Sequence, residues 1–182
     1  MSKYSSSSFS SAGAGAVSRP EGFSFSAFFR KYKHYIVSIA IALAVGILGG
    51  IITYLGMGEF NSLNQPPLSP PGFLFPVVWS VLYVLMGVGA ARVYKKDGNL
   101  FSPALKVYAA QLFFNFFWSV FFFGFGLYWF SFIWLAVLWG LVLAMIILFK
   151  NTDNAAAYMQ IPYILWLTFA AYLNIGIAFL NA

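Results

Sequence analysis

The 182-residue chain has no cysteine, a single histidine and only four acidic residues. Without cysteine there are no disulfides, thiolate metal sites or sulfur nucleophiles. The one histidine, His34, sits in a basic run ahead of the first long apolar stretch, so a metal centre would lack ligands; neither a metal nor a cofactor is expected. There is no Ser-His-Asp set, no carboxylate pair, no phosphate-binding Walker loop and no dinucleotide fingerprint, which leaves hydrolysis and phosphoryl transfer without their reactive groups. Charge is scarce as well. Charged residues make up 8% of the chain, against about 25% in a soluble domain. Hydrophobic residues make up 62% and aromatics 21%. This is the composition of a membrane protein.

A membrane-crossing helix needs roughly 20 apolar residues. Five stretches meet that length, at 35–56, 73–94, 103–123, 127–149 and 156–180. The expected fold is therefore an all-α membrane protein, a bundle of five transmembrane helices over residues 35–182, behind a disordered Ser-rich and basic tail at 1–34. The third and fourth stretches are separated only by Gly124-Phe125-Gly126, a tight turn that makes them antiparallel neighbours. The fourth is apolar all round, as expected of a helix that meets both lipid and protein. No Asp, Glu or His lies inside a span to relay protons, which argues against ion-coupled pumping.

The net charge of +6 would suggest nucleic acid in a soluble protein. Its placement argues otherwise. With five spans, all ten Lys and Arg fall on one side of the membrane. By the positive-inside rule that side is the cytoplasm, together with the N-terminus. A bacterial cytoplasmic membrane, or a mitochondrial outer membrane in a eukaryote, would be the location; nucleic acid is not expected as a partner, whereas membrane lipid is.

The opposite side carries a proline ladder, Pro66-Pro67-Leu68-Ser69-Pro70-Pro71-Gly72, running into Phe73-Leu74-Phe75-Pro76. Proline fixes φ and donates no backbone hydrogen bond, so the ladder is stiff and irregular; Pro76 falls in the first turn of a helix, where proline is tolerated. It reads as a rigid lid over a helix with Trp79 and Tyr83 on neighbouring turns, or, more plainly, as a connector. Other stripes recur at helical spacing: Gln111, Asn115 and Trp118 on the third span, and Pro162, Trp166, Ala170 and Asn174 on the fifth, with Tyr163 beside them. Unpaired amides are costly in a membrane, so Gln111, Asn115 and Asn174 face either a cavity or one another. On the first span, Ser38, Ala42, Gly46 and Gly50 form a ribbon of small residues that suits close packing within the bundle or against a second copy. Trp129, Trp134 and Trp139 fit an interfacial anchoring role.

Four ordered motifs carry a family resemblance: Leu63-Asn64-Gln65-Pro66-Pro67-Leu68-Ser69-Pro70-Pro71; Phe75-Pro76-Val77-Val78-Trp79-Ser80-Val81-Leu82-Tyr83; Ala110-Gln111-Leu112-Phe113-Phe114-Asn115-Phe116-Phe117-Trp118; and Pro162-Tyr163-Ile164-Leu165-Trp166 continuing to Asn174. The chain resembles the tryptophan-rich sensory protein / translocator protein family from about Tyr35 onward. The resemblance implies a receptor or sensor, often a homodimer, that binds porphyrin-like tetrapyrroles and other flat apolar ligands in a pocket under the first loop. It assigns porphyrin contact to Trp79 and Trp166, a pocket amide to Asn115 and a small wall residue to Ala170. Two alternatives accompany it: a photochemical porphyrin-degrading enzyme using Trp79 or Trp166, and a transporter of tetrapyrroles or lipids. The family's sterol-recognition motif needs an aromatic and a basic residue where this chain has Ile175 and Phe179, so sterol binding through it is expected to be weak.

Overall fold

The computed structural model describes residues 25–181. The chain divides after Lys31, and the bundle described below begins at Tyr32. The elements are α1 (Phe25–Ser62), α2 (Leu74–Asp97), α3 (Pro103–Ser119) with a π-helical turn at Val120–Gly124, α4 (Tyr128–Thr152), α5 (Asn154–Tyr158) and α6 (Ile161–Leu180). Five segments are long and apolar enough to span a membrane, and no strand occurs among the described residues. The bundle of five spans expected from the sequence is what the chain forms.

Two boundaries differ from the apolar runs. The first run, expected to open a helix at residue 35, lies inside a longer helix that starts at Phe25. No proline or glycine occurs between Phe25 and Val45 to interrupt it. The tail assigned to 1–34 is thus helical from Phe25, and residues 1–24 lie outside the described residues. The fifth run is broken into α5 and α6. Pro162 explains the break: it lacks an N–H, and its ring would collide with the carbonyl of Tyr158 in a continuous helix.

Helix ends follow their local chemistry. Ser102 caps α3 by accepting from the Leu105 N–H, with Pro103 in the first turn. Gly98 ends α2 at φ 69°, a left-handed conformation that glycine adopts without a Cβ penalty. The core is built around α4, which adjoins α3, α5 and α6. Its Leu135, Leu138, Val142, Met145 and Phe149 are fully buried, a 3-4-3-4 stripe on one face. Ile133, Val137, Leu143 and Ile147 on its other faces are exposed, as suits a span that meets lipid on one side and protein on the other. Helix α1 is the loosest wall: 11% of its apolar window is buried, against 28–44% in the other spans.

Glycines set how closely α1 can approach. A Cβ on Gly87 of α2 would lie 2.5 Å from the Ile39 backbone, one on Gly46 2.4 Å from the Tyr83 ring, and one on Gly56 2.2 Å from the Phe123 carbonyl. The small-residue ribbon therefore packs inside the bundle at Ala42, which is fully buried, and at Gly46. Gly50 drifts away, and a Cβ there would meet nothing within 4 Å.

Candidate ligand-binding site

Between its contacts with Tyr83 and Phe123, α1 stands off the bundle and leaves a cavity of about 760 Å³. Gly46, Gly49 and Gly50 form its α1 wall, Phe75, Trp79 and Tyr83 its α2 wall, and Ser119 closes it from α3. Gly72 and Phe73, at the end of the proline ladder, lie at one end beside Asn61. Among the described residues, no charged side chain lines it.

The ladder is fastened to the last helix. Pro66 is buried against Gly176, where a Cβ would lie 2.7 Å from the proline ring. The Tyr172 hydroxyl donates to the Pro67 carbonyl at 2.7 Å. Asn181 Oδ1 accepts from the Asn64 N–H, and its Nδ2 donates to the Asn64 carbonyl, both at 2.9 Å. Beneath, Phe60 packs on Phe75, Phe122 and Phe123. That Tyr172 and Asn181 hold the ladder was not legible in the sequence, because their partners lie far away along the chain, 105 residues for Tyr172 and 117 for Asn181.

The residues expected to form the site divide into groups. Trp79 and Tyr83 stand on the cavity wall. Gln111 and Asn115 lie behind Tyr83 and are bridged by the Tyr163 hydroxyl. The Tyr83 hydroxyl donates to Asn115 Oδ1, Asn115 Nδ2 donates to the Tyr163 hydroxyl at 2.8 Å, and Tyr163 donates to Gln111 Oε1 at 2.9 Å. Gln111 Nε2 ends the chain on Met86 Sδ at 3.7 Å. This network joins α2, α3 and α6, and in it the two amides meet tyrosine hydroxyls and a thioether rather than each other.

A second knot holds Trp118 and Asn174. Asn174 Oδ1 accepts from Trp118 Nε1 and from Ser131 Oγ, each at 3.1 Å, while its Nδ2 donates to the Tyr128 carbonyl at 2.8 Å. Trp166 lies edge-on to Phe75, with ring centroids 6.1 Å apart, and its buried Nε1 has no partner among the described residues. Ala170 is buried. Trp79 connects the groups, since its ring meets those of Tyr83, Trp118 and Tyr163. Phe75 and Ser119, both on the cavity wall, lie in or beside motifs already noted, but nothing in their spacing marked them. Trp139 points outward and donates to Thr168 Oγ1 at 3.0 Å.

At the other end of the bundle, Asp153 is buried and accepts from the Ala156 N–H as the cap of α5. Its Oδ2 lies 3.0 Å from Arg92 and 3.1 Å from Lys96, both on α2. Burial by itself would raise this carboxyl. The Ala156 N–H and the two cations outweigh it and hold the pKa at about 2. The group fastens α2 to the start of the last span.

These features define a class: a multi-pass helical membrane protein with a closed polar core and an aromatic, charge-free cavity beside it. The sequence places it more narrowly. The chain belongs to the TspO/MBR family, which it matches over residues 38–180. It is 35% identical over 149 residues to Protein CrtK of Rhodobacter capsulatus, covering 81% of this chain and 90% of that one. It is 32% identical over 148 residues to the tryptophan-rich protein TspO of Chlorobaculum tepidum, covering 79% and 92%. To the translocator protein of Ovis aries it is 34% identical over 122 residues, covering 65% and 72%. Relatives thus occur in bacteria and in eukaryotes.

Proposed function

We propose that the protein is a membrane receptor or sensor that takes a flat, largely apolar, tetrapyrrole-like ligand into the cavity between α1 and α2. One observation carries the reading: about 760 Å³ of charge-free space with the Trp79 indole and the Tyr83 and Phe75 rings on its wall. Its size lies within the range of small-molecule sites, and indole and phenol rings stack on planar ligands. Carboxylates on such a ligand would lie at the Asn61–Phe73 end, where the N-terminus of α2 favours negative charge. The proline ladder is then on the outer side and the basic ends of the helices are in the cytoplasm.

The test is a porphyrin titration read by tryptophan fluorescence quenching. Trp79→Phe should weaken binding several-fold, consistent with a stacking loss of about 1 kcal/mol, and Trp139→Phe should leave it unchanged. Equal losses at both positions would point to non-specific quenching rather than a pocket. The photochemical alternative rests on the same wall indole. New absorbing products with turnover on illumination would make the protein an enzyme, and bleaching without product leaves it a receptor.

A further inference from the structure

The cavity is long. Its lining runs from Leu43 to Asn61 on α1, which is about 27 Å at the helical rise of roughly 1.5 Å per residue. A hydrocarbon chain packed at carbon contact distances of about 4–5 Å fills roughly 20 Å². About 760 Å³ over that length therefore leaves room for at least one chain.

Its α1 rim is exposed along an apolar span. Ile47, Ile51 and Tyr54 on the α1 rim are 62%, 51% and 80% exposed, and all three lie within the first span. The opposite flank is shut: the ladder is fastened to α6 through Tyr172 and Asn181, and Phe60, Phe75 and Phe123 are packed and buried beneath it. One end is apolar at Leu43, while the other reaches Asn61, Gly72 and Phe73 beside the loop. An occupant matching this outline has one polar end, one long apolar tail and no need of a counter-charge.

We infer that an acyl chain of a bilayer lipid enters sideways between α1 and α2 and lies along the glycine face of α1, with its headgroup at the Asn61 end. The inference rests on the cavity being a binding site, and not on the identity of its ring ligand. Gly50 is the natural point of attack, because a side chain there projects into open space and fills the slot without a clash.

The experiment uses the full chain in phosphatidylcholine vesicles doped with a phosphatidylcholine that carries a diazirine in mid-chain. After photolysis, label is mapped by mass spectrometry on the inward residues Leu43, Met57, Trp79 and Tyr83 and on the outward Leu48, Leu55 and Val81. In the unmodified protein both sets should be labelled. In Gly50→Phe, or Gly50→Leu if the larger side chain impairs folding, inward label should fall several-fold with outward label unchanged. Gly58→Phe, on an exposed part of α1 outside the slot, should leave both unchanged. Label confined to the outward set, or inward label undiminished in the Gly50 variants, overturns the inference. A porphyrin titration on the same vesicles separates the two readings: porphyrin binding without inward label sinks the lipid chain alone, and inward label without porphyrin binding sinks the tetrapyrrole alone.

Discussion

Tyr83 belongs to two environments at once. One edge of its ring faces the cavity, and its hydroxyl anchors the network running through Asn115, Tyr163 and Gln111. Gly46 permits this by leaving the space that the ring occupies. Gly46→Ala would put a methyl group 2.4–2.6 Å from the ring carbons, so either the ring or α1 must move. The expected cost is about 1–3 kcal/mol, the usual range for overpacking, and thermal unfolding in detergent should show it as a lowered Tm. Gly50→Ala meets nothing and should not lower the Tm. Matching Tm values for the two variants would mean that α1 does not bear on Tyr83. Trp166→Phe belongs at this scale too. Its ring touches Phe75 rather than lining the cavity, so its effect on porphyrin affinity should be smaller than that of Trp79→Phe in the same titration. A larger effect would place the ligand between α2 and α6.

Elements are joined at their ends by a few polar contacts. Asp153 links the start of α5 to Arg92 and Lys96 near the end of α2. Its pKa is lowered on folding, so the stability it contributes is complete above the ordinary carboxylate range and is lost as pH falls from about 4 through about 2. The gap corresponds to roughly 2 kcal/mol, less some screening because both cations are partly exposed. Asp153→Asn retains a side-chain oxygen to cap the Ala156 N–H, so it isolates the ion pairs. The variant should unfold at a lower temperature at pH 7, and the difference should close as the pH approaches 2. A difference that persists unchanged at low pH would assign the effect to packing. This cluster was not visible in sequence, since Asp153 appeared only as one acid between two apolar runs. The break at Pro162 was not read from the sequence either, although the missing N–H and the ring of that residue account for it.

On the scale of the whole molecule, the single-sided distribution of Lys and Arg makes a claim about orientation. Cysteines introduced at Ser62 and Leu100 should be labelled from opposite sides of the membrane. Leu100 is preferable to Gly98, whose φ of 69° resists a side chain. Labelling from the same side would overturn the topology. The number of spans, the short α3–α4 connection, the loop at the ladder and the family motifs were all legible in the residues. Each depends on segment length, on proline geometry or on identities at fixed spacing, which are properties of the chain alone. Which side of each helix faces inward was not legible. In α4, Leu135 and Leu138 are fully buried while Ile133 and Val137 are exposed, although all four are equally apolar. Water sorts apolar from polar residues and so writes the core into a soluble sequence, but a bilayer is as apolar as the core and leaves no such mark. The same holds for the site. Sequence named its amides and indoles, but only the tertiary packing decided that the amides would meet tyrosine, tryptophan and serine groups and that the open space would lie beside Trp79, against the bare face of Gly46, Gly49 and Gly50.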